Sequence, residues 1–507
     1  MPTFERRHVS RLVPSNVPLL TALLVAVAVT NSATLGYDSN VMNGLLILPS
    51  YTEYFHLTTA TTGLNNAAMW MGGLLASPFM QLVPDILGRK AAIVVATAIT
   101  AVGIVLQAAA QHISMFLVAR IIVGIGTAIN NVSAPALLGE LLRSRSRTRV
   151  LGLFFSCYYV GGLLSAIVNY GSQNIESTWA WRLPSLLQLI PSVLAVVLVP
   201  FVPEYPRWLL VKGKKEHAIE VLAVMAGVGD STGLEQAADS AESIRMVIEK
   251  EAEEYPSNPW KELVSGKANL KRVFILVTFG TMINTCGNFI ISTYLSKILD
   301  QAGITETYVQ TQVNVIIQCW SFAIAVLGSF MLDIIGRRLQ LLGSQCGMVV
   351  MLFLMGGLIK KYGESEKTSA IYGTIAVIFL FQAFYAFSIT PMTSSYPTEI
   401  CQYKLRATGI TLFRFFDSGF GLMGSFAMSY AMDDLGWKFY FINGSWIVAF
   451  IGVVYFTFVE TKGLQLEEIA VKFGDMPVLE AVEVGVELSG TPSKIGASET
   501  IKSGSAS

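Results

Sequence analysis

Two ionisable side chains, Asp38 and Arg120, lie inside long apolar stretches of the chain. An ionisable group in such a stretch is costly and is by default a mark of function. On a helix, Asn31, Thr34 and Asp38 would share one face. A carboxylate beside an arginine changes its affinity for protons when the arginine moves away, so a conformational change could take up or release a proton. A static structural ion pair is the alternative interpretation.

Neutral amides and hydroxyls form a second candidate group in the other half of the chain. Asn284, Asn288 and Ser292 follow one another at i, i+4 and i+8, and Asn314 and Gln318 are also four residues apart. At this spacing, each set lies on one face of a helix. Amides and hydroxyls both donate and accept hydrogen bonds, which suits a ligand with many hydroxyls. The alternative for each residue is a hydrogen bond between membrane helices.

Three further residues could complete such a site. Tyr294 could stack on a ligand ring, although plain packing explains an aromatic residue equally well. Arg414 and Asp417 are one helical turn apart, so they could neutralise one another, or Arg414 could extend to the membrane surface. The sharper hypothesis is that Arg414 binds an anionic group of the ligand.

A short charged string occurs twice, at residues 85–90 and 333–338. Each copy has an aspartate, a glycine three residues on and an arginine directly after it, and each lies between long apolar segments. Such a repeat indicates two homologous half-bundles. The carboxylate, the helix-breaking glycine and the two cations could form a latch between helix ends. The alternative is that these charges only orient the chain in the membrane.

The composition is that of a membrane protein. Hydrophobic residues make up 53% of the 507 residues and charged residues only 14%, whereas soluble domains average about 25% charged. The formal net charge is zero, so no basic surface for nucleic acid is expected. The five cysteines have no paired spacing, so we expect neither a disulfide framework nor a metal site. We expect no cofactor.

Apolar segments of roughly 20 residues, the length that crosses a bilayer, predict an all-α polytopic membrane protein with twelve transmembrane helices. The helices form two pseudo-symmetric bundles of six. We expect a short N-terminus (1–16), a first bundle (17–203), a helical linker (204–271), a second bundle (272–458) and a tail (459–507). The predicted spans are 17–37, 60–83, 91–110, 115–138, 150–171, 183–203, 272–296, 309–332, 339–359, 369–392, 408–431 and 437–458.

The distribution of basic residues predicts the orientation. Lysine and arginine concentrate in the short loops on one side, above all in the cluster from Arg143 to Arg149. Short loops rich in lysine and arginine stay in the cytoplasm. We therefore expect both termini and the linker on the cytoplasmic side. A basic cluster that binds a soluble partner is the alternative.

Further motifs occur in order along the chain. With the repeated charged string they make the chain resemble the sugar-porter family of the major facilitator superfamily over nearly its whole length. Within that family the chain is most similar to the fungal lactose-permease and hexose-transporter branch. The motifs are Gly36-Tyr37-Asp38, residues 135–140 with Arg147, Trp181-Arg182, residues 203–209, Tyr396-Pro397-Thr398-Glu399 with Arg406, and residues 459–463.

The resemblance implies a secondary transporter that moves a sugar across the plasma membrane by alternating access. It makes Asp38 the proton-accepting carboxylate of a symporter and Arg120 its partner. A facilitator that keeps the aspartate without using it is the alternative. The implied partners are a small sugar, protons and the lipid bilayer. The implied cytoplasmic gating residues are Asp85, Gly88, Arg89, Glu140, Arg147 and Glu204 in the first half, and Asp333, Gly336, Arg337, Glu399, Arg406 and Glu460 in the second.

The chain departs from the family pattern at several cargo positions. Phe155 and Ser394 stand where relatives commonly have a glutamine and a tryptophan, and Arg414 and Asp417 lie on a helix that usually carries an asparagine. These departures leave a polyol or a sugar-like acid such as quinate open as the cargo. A nutrient sensor is disfavoured because known sensors of this family have long tails. An enzyme is not expected, because no nucleophile–base motif is present.

Overall fold

The computed structural model describes residues 7–142, 154–227, 231–254, 259–288, 294–301, 303–362, 368–402, 405–464 and 466–474. Within these ranges the regular structure is helical, and no strand occurs. The helices fall into two sets of six, separated by shorter helices, as the apolar segments predicted.

The first set contains the longer helices of the N-terminal half. The last of them is divided in two, with Pro184 inside its first piece, and a 3-10 turn at Val199–Phe201 follows it. Two short helices, Pro49–Thr52 and Leu82–Leu87, lie in the connections. The six are α1 (Val17–Ile47), α2 (Thr59–Ala76), α3 (Arg89–Ala108), α4 (Ile113–Leu141), α5 (Tyr158–Ser172) and α6 (Trp179–Leu187 with Leu189–Leu198).

The second set repeats this order. A short helix, Leu295–Gln301, follows the first member, and another, Leu466–Phe473, follows the last. The fourth member continues through Pro391 and Pro397 and is therefore longer than its predicted span. The six are α7 (Lys267–Thr285), α8 (Thr307–Ile335), α9 (Arg337–Tyr362), α10 (Thr368–Ile400), α11 (Arg406–Leu435) and α12 (Lys438–Thr457).

Eight of the described helices are long and apolar enough to cross a bilayer, namely α1, α3, α4, α6, α8, α9, α10 and α12. The described part of α5 has only 15 residues. The other three helices carry more polar residues, such as Asn66 in α2, Arg272 in α7 and Arg414 in α11. Asn66 and Arg414 line a cavity between the halves, so they do not have to face lipid.

The packing repeats between the two halves. In the first half, α1 packs on α5, α2 on α4 and α3 on α4. In the second, α7 packs on α11, α8 on α10 and α9 on α10, which are the same pairings counted from the start of each set. The main contacts across the halves are α2 with α11 and α5 with α8, again a symmetric pair. The structure therefore confirms the duplication that the repeated motif predicted.

Glycines allow some helix pairs within a half to touch through their backbones. A Cβ on Gly36 would collide with the carbonyl oxygen of Tyr158, and one on Gly161 would collide with that of Ala33. These two positions bring α1 and α5 into direct backbone contact. In the second half, Gly328 of α8 lies against the carbonyl oxygen of Phe387 of α10 in the same way.

A group of linker helices, Pro206–Val211, Lys215–Ala226, Ser231–Glu254 and Pro259–Leu263, connects the two sets. The segment before α1 docks on the second of them. The backbone N–H groups of Arg7, His8 and Val9 donate to the Glu220 carboxylate at 2.8, 2.8 and 2.7 Å. Val9 and Val13 are buried in the same apolar cluster as Leu209 and Val221.

Candidate functional site

A cavity of about 210 Å³ lies between the two halves. Helices α1, α2, α4 and α5 line it from one side, and α7, α8, α10 and α11 line it from the other. Its polar lining consists mainly of amides and hydroxyls, and aromatic rings such as Trp70 and Tyr385 lie beside them. The lining amides are Asn40, Asn43, Asn66, Asn131, Asn284, Asn288, Gln318 and Gln382.

The sequence-predicted ligand residues divide into two groups. Asn284, Asn288, Gln318 and Arg414 line the cavity. Since α7 ends at Thr285, Asn288 does not continue the helix face that its spacing from Asn284 predicted. Tyr294 and Asn314 are absent from the lining. The Tyr294 hydroxyl is buried and donates to the Ser425 carbonyl at 2.7 Å, which is the packing role. Ser292 lies outside the described residues.

Several lining residues of the first half were not predicted. Asn40 and Asn43 of α1 follow Gly36 at i+4 and i+7, and Asn66 stands in the apolar sequence of α2. Tyr159 of α5 also lines the cavity. The amide spacing in α1 was a usable signal, because it has the same period as the predicted face of α7.

Arg414 is only 9% exposed and lies at the cavity wall. Its Nη1 donates to Asp417 Oδ2 at 3.0 Å. The Asn284 amide donates to Asp417 Oδ1 at 2.8 Å and to the Asp417 carbonyl at 2.7 Å. The Arg414 guanidinium also lies 5.5 Å from the ring centre of Phe155, across the gap between the halves. Arg414 therefore pairs with Asp417, and its burial contradicts the alternative of extension to the membrane surface.

Asp38 and Arg120 are both buried, at 0% and 2% exposure. The expected contact was between the Arg120 guanidinium and the Asp38 carboxylate. Instead, Arg120 Nη1 donates to the backbone carbonyl of Asp38 at 2.9 Å. Neither carboxylate oxygen of Asp38 has a hydrogen-bond partner among the described residues. Arg120 lines the cavity, and its Nη2 lies 4.0 Å from the Met69 sulfur. The aspartate is thus beside the cavity, with its negative charge unsatisfied by hydrogen bonds.

The two charged motifs lie at corresponding helix ends, here named the motif end of the molecule. In the first copy, Arg89 Nη1 pairs with Asp85 Oδ1 at 3.1 Å. The Glu204 carboxylate accepts the N–H groups of Arg89 and Lys90 at 3.0 and 3.1 Å, at the start of α3. Gly88 has φ 94°, and a Cβ there would lie 2.7 Å from Glu204 Oε2. Only glycine adopts this conformation readily, and only glycine leaves room for the carboxylate.

The second copy has the same arrangement. Arg337 Nη1 pairs with Asp333 Oδ1 at 3.2 Å, and Glu460 accepts the N–H groups of Arg337 and Arg338 at 2.9 and 3.0 Å. Gly336 has φ 100°. Arg337 also binds both carboxylate oxygens of Glu399, at 3.0 and 3.2 Å. Both motifs therefore hold a helix N-terminus against a glutamate from further along the chain.

Some gating residues cannot be compared between the copies. Arg147 lies outside the described residues, and for Glu140 the description covers only its place in α4. Arg406 is the first residue of α11. Among the described motif residues, the ion pairs Arg89–Asp85, Arg337–Asp333 and Arg337–Glu399 each join residues of one half.

Hydrogen bonds join the halves at both ends of the molecule. At the motif end, the hydroxyls of Ser156 and Ser329 lie 2.9 Å apart. At the opposite end, the hydroxyls of Tyr170 and Tyr308 lie 2.7 Å apart, and Ser429 donates to the Thr59 carbonyl at 2.9 Å. Both ends of the cavity are thus bordered by contacts that separation of the halves would break.

The described residues contain no cluster of three or more histidine, cysteine, aspartate or glutamate side chains placed to hold a metal ion. The charged groups of the cavity are instead Arg120, Arg414 and Asp417. The cavity chemistry in this part of the chain is hydrogen bonding, charge and aromatic contact.

Comparison with known proteins gives a consistent result. The profile of the family described as "Sugar (and other) transporter" matches residues 24–473. A high-affinity glucose transporter of Kluyveromyces lactis is 28% identical over 469 residues, which cover 87% of this chain and 83% of that protein. A probable polyol transporter of Arabidopsis thaliana is 26% identical, covering 91% and 95%. A probable quinate permease of Aspergillus niger is 25% identical, covering 90% and 89%.

Solved structures show the same fold. The proton:xylose symporter XylE, bound to 6-bromo-6-deoxy-D-glucose, superposes with a TM-score of 0.75 at 19% identity, covering 90% of this chain and 100% of that chain. A partially occluded inward-open form of the xylose transporter XylE from E. coli gives a TM-score of 0.71 at 19% identity, covering 88% and 100%. At this identity the likeness establishes the twelve-helix architecture.

Proposed function

Because the chain belongs to the Sugar (and other) transporter family, we propose that it moves a sugar or a close sugar derivative by alternating access, driven by proton symport. It is a multi-pass membrane protein of the major facilitator type and not an enzyme. The observation that carries the proposal is the cavity of amides, hydroxyls and aromatic rings between two similar half-bundles.

The chemistry of the cavity supports a small polyhydroxylated cargo. Asn284, Asn288 and Gln318 each carry a donor and an acceptor in one amide group. Each can therefore donate a hydrogen bond to a sugar hydroxyl or accept one from it. Trp70 supplies an apolar ring face against which the carbon side of a sugar can pack. The volume of about 210 Å³ suits one small molecule.

The contacts between helices support movement of the halves against each other. Within a half, α1 and α5 touch through their backbones at Gly36 and Gly161, so they move as one body. Across the halves, the hydrogen bonds at the two ends join individual side chains, as in Ser156–Ser329 and Tyr170–Tyr308. A hydrogen bond of this kind contributes only about 0.5–1.5 kcal/mol. Breaking one end while keeping the other exposes a midplane site to each side in turn.

Asp38 is the residue we assign to proton coupling. Its carboxylate is buried and has no hydrogen-bond partner within the described part of the chain. It lies next to Arg120, which itself lines the cavity. A charge in that position is unfavourable unless it is neutralised by a proton or by a nearby cation. A substrate that moves Arg120 would therefore change the proton affinity of Asp38.

The motif end is assigned to the cytoplasm of a plasma-membrane protein, with both termini on that side. Its basic loops follow the rule for cytoplasmic loops. In this role the Arg89 and Arg337 networks lock helix ends together while the cytoplasmic side is closed. Their members would set the rate of transport without touching the cargo.

Uptake in a yeast strain that lacks its own sugar transporters tests the proposal. Labelled neutral sugars, polyols and sugar acids are supplied with and without a protonophore. We expect accumulation of at least one compound above its outside concentration, and loss of that accumulation with the protonophore. Uptake that only equilibrates and ignores the protonophore would make the protein a facilitator. No uptake of any compound by protein present at the cell surface would contradict the transport proposal.

A further inference from the structure

Arg414 is a guanidinium placed at the wall of a cavity whose other polar groups are mainly neutral. It lies in α11, and its planar group is near the rings of Phe155 and Phe413, at 5.5 and 5.2 Å from their centres. Arginine stacks on aromatic faces through its planar surface and hydrogen-bonds through its edges. The two phenylalanines therefore restrict the orientation of the group and leave its edges for hydrogen bonds.

Asp417 does not occupy the whole of that edge. It accepts from Arg414 Nη1 through Oδ2, and its other oxygen accepts from the Asn284 amide. Among the described residues, the Nη1–Asp417 contact is the hydrogen bond found for this guanidinium. An arginine has five N–H donors and no acceptor. Most of the donor capacity of Arg414 is thus available to a ligand in the cavity.

The Arg414 guanidinium has only hydrogen-bond donors, so it binds ligand groups that accept hydrogen bonds. A sugar hydroxyl offers one oxygen and also brings a proton that needs an acceptor of its own. A carboxylate offers two oxygens in the fork geometry that a guanidinium matches, so it can accept two parallel hydrogen bonds and also carries the opposite charge. The position of Arg414 therefore favours a carboxylate over a hydroxyl.

The balance of charge in the cavity points the same way. The lining contains two arginines, Arg120 and Arg414, and one carboxylate, Asp417. Asp38 balances the second arginine while it is ionised, but it cannot do so when it carries the coupled proton. A monocarboxylate bound in that state would restore neutrality, and an unbalanced charge inside a membrane is costly.

We propose that the cargo is a polyhydroxylated monocarboxylate, a sugar acid, whose carboxylate binds Arg414 while its hydroxyls bind the lining amides. This inference rests on the proposed function only in taking the cavity as the cargo site. Asp417 then holds the guanidinium in place through its link to Asn284. Arg414 is the residue that distinguishes an acid from its neutral sugar.

Binding to the purified full-length protein in detergent tests the inference directly. Glucuronate, glucuronamide and glucose form a matched series, because they differ only in the group on one carbon. We expect glucuronate to bind the native protein at least about tenfold more tightly than glucuronamide, the range expected for a charge-assisted hydrogen-bonded pair. Galacturonate and galactose provide a second series with a different hydroxyl arrangement.

Three variants separate charge, geometry and folding. Arg414→Gln should abolish the preference for the acid, and Arg414→Lys should keep only part of it because a lysine lacks the fork. The double variant Arg414→Gln with Asp417→Asn removes both charges together and should also show no preference, without leaving a lone buried carboxylate. Lys438→Gln, at an exposed lysine at the start of α12, is the matched control and should bind like the native protein.

The outcomes separate this inference from the proposed function. If the native protein binds glucose as tightly as glucuronate, or if the Arg414 variants keep the preference for the acid, the inference is overturned while sugar transport stands. If cells show no uptake but the purified protein prefers glucuronate in an Arg414-dependent way, the inference stands and transport fails. If cells accumulate the acid and the Arg414→Gln variant loses the preference for it, both the inference and the transport proposal are supported.

Discussion

Gln318 of α8 donates a hydrogen bond from Nε2 to Asn40 Oδ1 of α1 at 3.0 Å, and this bond joins the two halves at the cavity itself. Both amides line the cavity. Gly162 of α5 leaves the space that the pair occupies, since a Cβ there would lie 2.7 Å from Gln318 Oε1 and 3.0 Å from Asn40 Nδ2. The absence of a side chain at Gly162 thus allows the Gln318 amide, which was predicted to bind cargo, to meet the Asn40 amide, which was not.

A methyl group at Gly162 should therefore weaken cargo binding. In Gly162→Ala the two amides must shift, and a hydrogen bond of about 1 kcal/mol is lost or lengthened. We expect KM for the cargo to rise about fivefold, measured by uptake kinetics at matched surface expression. Gly171→Ala in the same helix is the control, because no atom of another described residue lies within 4 Å of a Cβ at that position. An equal KM in the two variants would contradict the role of the pair.

Loss of Arg337 should reduce transport without changing cargo affinity. Arg337 is 5% exposed and binds Asp333 and both oxygens of Glu399. The side chains of Asp333 and Glu399 are 51% and 20% exposed, so loss of Arg337 costs about 1.5–3 kcal/mol, the range for hydrogen bonds to charged groups. Arg337→Ala should therefore lower the melting temperature and slow uptake at least about tenfold. Purified protein should still bind cargo. Lys361→Ala, an exposed lysine at the other end of α9, should behave as the native protein. Native uptake rates in Arg337→Ala would exclude the latch.

Replacing Asp38 by asparagine should uncouple transport from protons. The amide has nearly the same shape as the carboxylate but cannot bind and release a proton at physiological pH. We expect Asp38→Asn to exchange labelled cargo across the membrane and to lose accumulation above the outside concentration. Asp300→Asn, at an exposed aspartate after α7, is the matched control and should accumulate normally. Accumulation in Asp38→Asn that the protonophore still abolishes would assign coupling to another residue.

The N-terminal segment should be held on the linker over the whole physiological pH range. Burial by itself would raise the pKa of Glu220, but the three N–H bonds from Arg7, His8 and Val9 outweigh it and leave the pKa below its ordinary value of 4.5. A lowered carboxylate pKa stabilises the docked form above the undocked pKa, and this stabilisation is lost only as pH falls through the lower, docked value. Hydrogen exchange of residues 7–13 measured between pH 3 and 7 should therefore show protection that stays constant down to about pH 4.5 and decreases below it.

The same segment offers a matched pair of variants. Glu220→Gln removes the charge that accepts the three N–H bonds, and at pH 7 it should reduce protection of these amides at least about tenfold. Glu216→Gln lies on the same linker helix, but its carboxylate is mostly exposed and touches the His8 ring at 3.2 Å. Glu216→Gln should leave the protection unchanged. Equal effects of the two variants would show that the carboxylate of Glu220 does not hold the segment.

The sequence predicted the architecture well because apolar length and a repeated charged motif are local properties. It also predicted polar helix faces that contain Asn284 and Gln318, since the helical period places residues three or four apart on a common face, and both residues line the cavity. It could not predict which face of a helix meets a cavity and which meets another helix. Tyr294 was therefore assigned to the cargo, although its hydroxyl binds the Ser425 carbonyl.

The motif contacts show another limit of the sequence. Glu204 and Glu460 were expected to dock against the charged motifs, and their carboxylates do so through the backbone N–H groups at the start of a helix. Every residue except proline has a backbone N–H group, so the sequence does not indicate which of these groups binds a carboxylate. The pattern of charges alone therefore suggests contacts between side chains. Likewise, Asp38 and Arg120 were predicted as partners, but the bond between them runs to a backbone carbonyl.

The glycine contacts within each half also bear on how the protein can evolve. At the α1–α5 crossing, any side chain larger than a hydrogen at Gly36 or Gly161 would push two backbones apart. Substitutions at these positions are therefore not expected to contribute to a change of cargo. Across the halves, Gly421 faces the indole side chain of Trp70 and not a backbone. A substitution at Trp70 therefore changes a side chain without pushing two helix backbones apart. Adaptation to a different nutrient is therefore expected to accumulate in residues such as Trp70, Phe155 and Arg414, while Gly36 and Gly161 are retained.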